Sequence, residues 1–300
     1  MNDTSRDIYL SRINLALDYV DRHLSEKIVL EDIARAAHFS SYHFHRIFTG
    51  ILNETTAEYI NRAKLEKACQ QLSYTQKGVS QIATNLGFSS VATFSRAFKQ
   101  YTNSSPSTYR NEGLPEDSKI RKQLHDISSY LHPVTDEQYH IEIKKYEFKK
   151  LAYIQVNNSF EEGRSLNALK QLIEWAKTEG VFDSGQLMGM SPDDVTITPK
   201  DKYRYIVAIS LPDQVSFEHP VIKERAIPES QYATMEIRGD IEAVVKALHY
   251  LYTDWLLSSG YEPNHLLAFE KFLNKEKATD WTHFELEVAL PIKELVNYKN

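Results

Sequence analysis

The sequence predicts an all-α domain built of two helix-turn-helix units, followed by an α+β domain with one antiparallel sheet and two helices. Three observations lead to this prediction. An imperfect repeat relates residues 33–59 to residues 82–109. Near Tyr139 the apolar spacing changes from helical to strand-like. Beyond that point strand-like and helix-like segments recur in the same order, which predicts two tandem βαββ halves.

The repeat supplies the strongest signal for the first domain. Its offset is 49 residues up to a Ser-Ser pair and 50 residues from a following Phe onward, so the second copy has one additional residue at the start of its second helix. Both copies carry an arginine at the same point, Arg46 and Arg96. Two matched two-helix units with a helical stretch between them predict a DNA-reading domain.

Helical spacing and capping residues set the expected elements of this domain. Ile13, Leu17 and Val20 are spaced for one helical face, and Ser40 or Ser41 is a good N-cap for the helix that follows. The predicted helices span about 8–24, 30–37, 41–52, 56–72, 79–86 and 90–101, with a last short helix starting at Pro106 and holding Tyr109.

A polar stretch with glycine and prolines predicts a linker over residues 113–138, with one short helix around 119–130. The domains are therefore expected at 1–112 and 139–300. In the second domain the predicted helices are 165–179 and 241–257. The strand-like segments are 141–143, 150–156, 203–211, 221–224, 231–237, 269–273 and 284–290, with Met188-Gly189-Met190 where the first half needs a further strand.

Charge and composition limit the possible classes of protein. The net charge is −6, but residues 1–112 carry +2, residues 113–300 carry −8, and residues 35–110 alone carry +6. The basic excess lies where the repeat lies, as a surface for phosphate requires. One cysteine, Cys69, fits a buried thiol in a reducing compartment. No signal peptide or apolar run of spanning length is present, so we expect a cytoplasmic protein without a membrane partner.

The second helix of each unit carries the candidate DNA contacts. In the first unit a face opposite the predicted core holds Ser41, Tyr42, His45 and Arg46, and Arg46 can form a two-pronged bond to guanine. The alternative is that such arginines are only solvated. His43 and His45 lie about 200° apart on a helix and have no cysteine partner, so no metal site is expected.

In the second unit the candidate contact residues are Ser90, Val91, Ala92, Ser95, Arg96 and Lys99. This surface has few hydrogen-bond donors. We therefore expect its readout to depend on thymine methyl groups, on Arg96 and on DNA shape, with Lys99 reaching phosphate.

Residues 8–112 resemble the DNA-binding domain of AraC-type transcription regulators. The closing pattern that carries the resemblance is Gly87-Phe88 … Phe94-Ser95-Arg96-Ala97-Phe98-Lys99 … Pro106-Ser107-Thr108-Tyr109-Arg110. The resemblance implies two units that enter successive major-groove segments of double-stranded DNA. A joining helix over 57–73 would be about 25 Å long, which suits grooves about 34 Å apart. Val91 and Ala92 stand where some relatives have two base-reading glutamines, which leaves the target sequence open.

Residues 140–297 resemble the GyrI-like domain, a small-molecule-binding fold that also follows the DNA-binding domain of Rob-type regulators. The resemblance lies in Ile227-Pro228 … Tyr232-Ala233 … Gly239, Leu251-Tyr252-Thr253-Asp254-Trp255-Leu256 … Ser259-Gly260-Tyr261, Ala268-Phe269-Glu270-Lys271-Phe272-Leu273 and Glu287-Val288-Ala289-Leu290-Pro291-Ile292. It implies a pocket with a glutamate, here Glu270, and aromatic walls, here Trp255 and Tyr252, for cationic lipophilic compounds.

The residues themselves also single out Glu270. It is the one carboxylate in the apolar stretch 266–273, and a carboxylate on an apolar face needs a partner, which a ligand cation can be. Alternatively, Glu270 faces solvent or pairs with Lys271 or another lysine. Trp255 and Met188 are candidates for either the pocket or the core. The candidate ligand-binding residues are Glu270, Trp255, Tyr252, Phe272 and Met188, with Glu285 and Glu287 as weaker ones.

No nucleophile–base group, phosphate loop or metal-binding pattern is present in the sequence, so we expect neither an enzyme nor a cofactor. The expected protein is a transcription regulator, with activation preferred over repression and hence RNA polymerase as a partner. It would act as a monomer, because one chain carries both DNA-reading units. The alternatives are a GyrI-like hydrolase with Glu270 as base, or a toxin-sequestering protein that carries a DNA-binding domain.

Overall fold

The computed structural model describes residues 3–118, 120–123, 139–264 and 266–295. The side chains of residues 3–6, 42 and 253 lie outside this description. The chain divides into two compact units. The helical unit comprises Met1–Leu124 together with Asp194–Lys202, and the sheet unit comprises His125–Asp193 and Tyr203–Asn300. None of the described helices has both the length and the apolar character that a membrane span requires.

The described part of the helical unit begins with a long helix and then contains two short-helix pairs joined by a second long helix. In order, the helices are α1 (Asp3–Arg22), α2 (Leu30–Ala36), α3 (Ser41–Leu52), α4 (Thr56–Tyr74), α5 (Val79–Asn85), α6 (Val91–Thr102) and α7 (Pro106–Glu112). These elements confirm the predicted double helix-turn-helix class.

Local capping explains where these helices start and stop. A capping box starts α4: the Glu58 amide donates to Thr55 Oγ1 at 3.2 Å, and the Thr55 amide donates to Glu58 Oε2 at 2.7 Å. Helices α3 and α6 both end at an asparagine in the left-handed region, Asn53 with φ 51° and Asn103 with φ 63°. The repeat therefore preserves the two asparagines because they terminate equivalent helices.

The same aromatic packing forms the core of each helix-turn-helix unit. In the first unit the rings of Phe44 and Phe48 are 5.3 Å apart, and Phe48 meets Tyr59 edge-on at 5.8 Å. The second unit repeats this geometry: the rings of Phe94 and Phe98 are 5.5 Å apart, and Phe98 meets Tyr109 edge-on at 5.3 Å. Cys69 is fully buried in the second core, where burial raises the pKa of its thiol.

The sheet unit is an antiparallel sheet in the strand order β4-β1-β3-β2-β6-β7-β5, with an additional pairing between β4 and β7. Helix α8 contacts β1 and β3, and α9 contacts β4 and β7. The elements are β1 (Glu142–Asn157), α8 (Arg164–Thr178), β2 (Leu187–Ser191), β3 (Arg204–Ser210), β4 (Lys223–Gly239), α9 (Ile241–Tyr250), β5 (Tyr261–Pro263), β6 (Ala268–Phe272) and β7 (Phe284–Glu294). They confirm the predicted α+β class with tandem halves.

Several element boundaries differ from the prediction. The pairs 141–143 with 150–156, and 221–224 with 231–237, are each one long strand, β1 and β4. Their pairing shifts register between Tyr146 and Leu151, and such bulges disturb the alternation on which a sequence prediction depends.

The predicted helix 241–257 is α9 followed by a π-helical turn (Leu251–Trp255) and a final turn (Leu256–Ser258). The short strand β5 was not expected from the sequence. Of the predicted linker helix 119–130, the structure describes a 3₁₀ turn at Arg121–Gln123, and the remainder lies largely outside the described residues.

Candidate functional site

Helix α3 presents a polar surface opposite its core side. Phe44 and Phe48 are fully buried, whereas His45 and Arg46 are exposed on the other side of the helix. Ser41 is half-buried at the first turn, and the side chain of Tyr42 lies outside the described residues. The arginine that the repeat singled out therefore has a free path to a phosphate or a base edge.

Helix α6 has the matching surface in the second unit. Arg96 and Lys99 are exposed, Ser95 is half-buried, and Val91 has 42% of its surface exposed. Ala92 is exposed beside Val91. An exposed valine at the start of a helix presents apolar surface that can contact an apolar group such as a thymine methyl.

Ser90 has a structural task besides its position on this surface. Its Oγ accepts a hydrogen bond from the Thr93 amide at 3.1 Å and so caps α6. Thr93, which the sequence prediction left out, is exposed on the first turn between Ala92 and Ser95. Helical spacing alone could have included it, because residues 92, 93 and 96 lie close together on a helix.

Glu270 is buried in β6, with 9% of its surface exposed. The hydroxyl of Tyr205, on β3, donates a hydrogen bond of 2.6 Å to Glu270 Oε2. Burial raises the pKa of Glu270, and the hydrogen bond from Tyr205 offsets part of that rise. Burial next to this carboxylate likewise holds the pKa of Tyr205 well above its ordinary value. Among the described residues no cation pairs with Glu270.

A glycine makes room for this pair. Gly189 in β2 lies directly beside Glu270 in the strand register. A Cβ atom at Gly189 would lie 1.8 Å from the Tyr205 hydroxyl and 2.8 Å from Glu270 Oε2. Only a residue without a side chain therefore allows Tyr205 to cross β2 and reach the carboxylate on β6.

Strand alternation assigns the other candidate residues to two faces of the sheet. Phe272, two residues after Glu270, shares its face and is buried. Met188 pairs with Lys271 and lies on the opposite face, fully buried in a cluster with Phe269. The structure therefore corrects the predicted grouping of Met188 with Glu270, because neighbouring positions in a strand point to opposite sides.

The aromatic candidates lie on the π-helical turn after α9. Trp255 is half-buried and stacks on Tyr261 of β5, with ring centroids 6.0 Å apart and planes 15° from parallel. Tyr252 is also half-buried. An extra residue in a helical turn displaces the side chains that follow, and such turns occur often at functional sites.

A second buried carboxylate, Glu287, lies on the face opposite Glu270. Lys144 Nζ lies 2.6 Å and Lys271 Nζ 2.5 Å from its oxygens, and the Tyr146 hydroxyl donates to it as well. Burial opposes ionisation of Glu287, yet these donors hold its pKa below the ordinary value. Lys271 is thus committed to Glu287, which excludes the proposed Glu270–Lys271 pair. Glu270 does not face solvent either.

The described residues also bear on metal binding. Within them no three His, Cys, Asp or Glu side chains are grouped so that they could hold a metal ion.

Comparison with known proteins identifies both units. A helix-turn-helix domain family matches residues 33–112, and the GyrI-like small molecule binding domain family matches residues 139–293. The second match covers more than half of the chain.

Curated relatives share parts of the chain. An uncharacterized HTH-type transcriptional regulator of Staphylococcus aureus (strain COL) is 27% identical over 158 residues, which is 50% of this chain and 21% of that protein. The uncharacterized HTH-type transcriptional regulator YbfP of Bacillus subtilis is 27% identical over 191 residues, 58% of this chain and 65% of that protein. The bifunctional transcriptional activator/DNA repair enzyme AdaA of Bacillus subtilis is 32% identical over 106 residues, 35% of this chain and 50% of that protein.

The chain thus spans less than two thirds of the length of each of these relatives. The two family matches confirm the resemblance that the sequence carries. The chain belongs to the GyrI-like small-molecule-binding family, and a helix-turn-helix domain precedes that domain.

Proposed function

We propose that this protein is a transcription regulator that reads double-stranded DNA with α3 and α6 and binds a small lipophilic cation at Glu270. The observation that carries the ligand part is the burial of Glu270 without a cationic partner among the described residues. A buried carboxylate is costly when its charge is unpaired, and a ligand cation removes that cost.

The comparison of Glu270 with Glu287 supports this assignment. Both carboxylates are buried in the same sheet, but Glu287 is neutralised by Lys144 and Lys271. Within the described ranges, Glu270 is hydrogen-bonded by the neutral hydroxyl of Tyr205 and by no cation. The Tyr205 hydroxyl satisfies one oxygen of Glu270, and a cation can replace that hydrogen bond with an ion pair. The proposed apolar contacts are Phe272, Trp255 and Tyr252. Phe272 lies on the same face as Glu270, and the other two lie on the π-helical turn after α9.

The exposed side chains of α3 and α6 support the DNA part. The proposed contacts of the first unit are Ser41, Tyr42, His45 and Arg46, and those of the second are Ser90, Val91, Ala92, Ser95, Arg96 and Lys99. One chain carries both recognition helices, so a monomer can occupy an asymmetric site. In this proposal the protein acts in the cytoplasm, as an activator that contacts RNA polymerase at the promoter.

Binding of tetraphenylphosphonium to the full chain, measured by calorimetry, tests the ligand proposal. Triphenylphosphine oxide serves as a neutral compound of similar aromatic character. Glu270→Gln preserves the shape and removes the charge, so it should weaken binding of the cation by about 1–3 kcal/mol and affect the neutral compound much less. Glu276→Gln, at an exposed position of the same domain, is the control and should change neither.

Unchanged binding of both compounds in Glu270→Gln would refute the ligand proposal, because it would separate Glu270 from the ligand. Equal loss for the cation and the neutral compound would instead indicate a folding defect of the variant. Turnover of a bound reactive compound, abolished in Glu270→Gln, would instead support the hydrolase hypothesis. The transcription proposal is tested by DNA binding and promoter activity of the full chain with and without the cation.

A further inference from the structure

Residues 194–202 connect β2 to β3 along the chain, but they pack with the helical unit. Ile197 has 2% of its surface exposed and belongs to the core cluster of the second helix-turn-helix unit. Thr198 has 1% of its surface exposed. We call residues 194–202 the connecting segment. Its apolar residue completes the core of a DNA-reading unit, although the chain reaches it only after β2 of the sheet.

The connecting segment is held by a buried carboxylate of the joining helix α4. Thr198 Oγ1 donates to Glu66 Oε2 at 3.0 Å. Glu66 also accepts a hydrogen bond of 2.8 Å from the Tyr101 hydroxyl near the end of α6, and it pairs with Arg62 at 3.1 Å. One buried group, Glu66, therefore joins the helix between the two units, the second recognition helix and the connecting segment.

The other end of the segment reaches the first unit. Lys202 Nζ donates to the carbonyl oxygen of Leu52 at 2.5 Å and lies 3.4 Å from that of Asn53. These carbonyls terminate α3, the first recognition helix, and a cation is stabilising at that end of a helix. The segment thus contacts the end of one recognition helix and the core behind the other, so it can fix the distance between them.

The flanks of the segment are tied together within the sheet unit. Arg204 donates to Asp193 through its amide at 2.8 Å and through Nε at 2.9 Å, and both side chains are buried. The next residue is Tyr205, whose hydroxyl is held by Glu270. A continuous covalent and hydrogen-bonded path therefore runs from the Glu270 carboxylate to the contacts at Glu66 and Leu52.

We propose that the connecting segment determines the spacing of DNA half-sites that the two recognition helices accept, and that the Tyr205–Glu270 hydrogen bond controls the segment. The second part rests on the proposed function, because a cation at Glu270 would displace the Tyr205 hydroxyl. Release of Tyr205 then weakens the hydrogen bonds between Arg204 and Asp193, which flank the connecting segment. The segment no longer fixes the distance between the two helix-turn-helix units, and the protein tolerates half-sites at other separations.

Spacing preference of the full chain tests the first part. A preferred duplex is selected from a random pool by the full chain, and one base pair is then inserted or deleted between its two half-sites. The wild-type chain should bind the altered duplexes about tenfold more weakly or worse. Thr198→Val combined with Lys202→Met removes both polar contacts and should reduce that penalty to about threefold or less, within the usual size of coupling effects. Lys200→Met, exposed in the same segment, is the control and should keep the full penalty.

A merely structural role would weaken binding to all duplexes equally and leave the spacing penalty intact, and that result would overturn the proposal. Where the double variant fails to fold, Lys202→Met alone decides, because the Lys202 side chain keeps 16% of its surface exposed whereas Thr198 keeps 1%.

Tyr205→Phe tests the second part without any ligand. It keeps the ring and removes the hydroxyl that Glu270 holds, so it should reduce the spacing penalty in the same direction as the double variant. An unchanged penalty in Tyr205→Phe would refute control by the hydrogen bond. Binding of tetraphenylphosphonium is measured separately. If the wild-type chain binds the cation but the double variant and Tyr205→Phe keep the full spacing penalty, this inference is refuted. The proposed function is then unaffected.

Discussion

The Tyr205 hydroxyl lies 2.6 Å from Glu270 Oε2 although the two residues come from different βαββ halves of the sheet unit. Tyr205 is on β3 and Glu270 is on β6, and β2 lies between them in the sheet. The contact crosses β2 at Gly189, the one position of that strand without a side chain. The candidate ligand site is therefore formed by both halves, and its geometry depends on Gly189, a residue without a side chain.

Gly189→Ala should destabilise the sheet unit and separate Tyr205 from Glu270. The new methyl group would lie 1.8 Å from the Tyr205 hydroxyl, which cannot be relieved without moving that side chain. Overpacking of this kind lowers the free energy of unfolding by about 1–3 kcal/mol. Urea denaturation of the variant and the wild type measures this change. Gly50→Ala is the control: nothing lies within 4 Å of its Cβ position in α3, so the variant should be neutral or more stable by up to about 1 kcal/mol. Equal stability of both variants would mean that Tyr205 does not occupy this place.

Removing the charge of Glu270 should stabilise the ligand-free protein at neutral pH. The pKa of Glu270 is raised in the folded state, so between its unfolded and folded values the folded chain binds more protons than the unfolded chain. The stability of the wild type should therefore fall as pH rises through that window, and Glu270→Gln should not share this loss. The stability difference between the two proteins should grow as pH rises above the ordinary glutamate pKa of about 4.3. A difference that does not depend on pH would show that Glu270 titrates as an ordinary solvated carboxyl group.

The same substitution at Glu287 should have the opposite effect. Glu287→Gln leaves Lys144 and Lys271 without their shared carboxylate, and Lys271 is mostly buried. The expected destabilisation is about 1–3 kcal/mol at neutral pH, reduced because Lys144 is partly exposed to solvent. Because the pKa of Glu287 is lowered, its contribution is present above the unfolded value and is lost as pH falls through the folded value. Equal urea midpoints of wild type and variant at pH 7 would contradict this assignment.

The sequence predicts the helical unit more completely than the sheet unit, for physical reasons. Helix boundaries depend on local capping, as at Thr55 and Asn53, and such residues can be read in order along the chain. The strands β1 and β4 were each expected as two short pieces, because their bulged, charged middle sections are ordered by cross-strand pairing.

In the candidate site, too, local features could be predicted from the sequence and non-local contacts could not. The burial of Glu270 could be anticipated from its apolar neighbours. Its contact with Tyr205 could not be anticipated. Alternation along β3 shows on which face of the sheet a side chain lies, but not which strands lie beside β3. The packing of Ile197 into the helical unit is equally non-local: nothing in Thr196-Ile197-Thr198 distinguishes a loop residue from a core residue of another unit.

Arg46→Ala and Lys99→Ala should weaken DNA binding in different ways. Both side chains are exposed. In the proposed function Arg46 contacts base edges, whereas Lys99 contacts a phosphate. Arg46→Ala should cost about 1–3 kcal/mol on a selected duplex and relax preference at one or two base pairs. Lys99→Ala should weaken binding to selected and scrambled duplexes alike and reduce the salt slope by about one charge. Arg35→Ala, in the exposed pair with Asp32 on α2, is the control and should change neither quantity. Identical behaviour of Arg46→Ala and Lys99→Ala on both duplexes, measured by fluorescence anisotropy, would show that the recognition face has been assigned to the wrong side of α3.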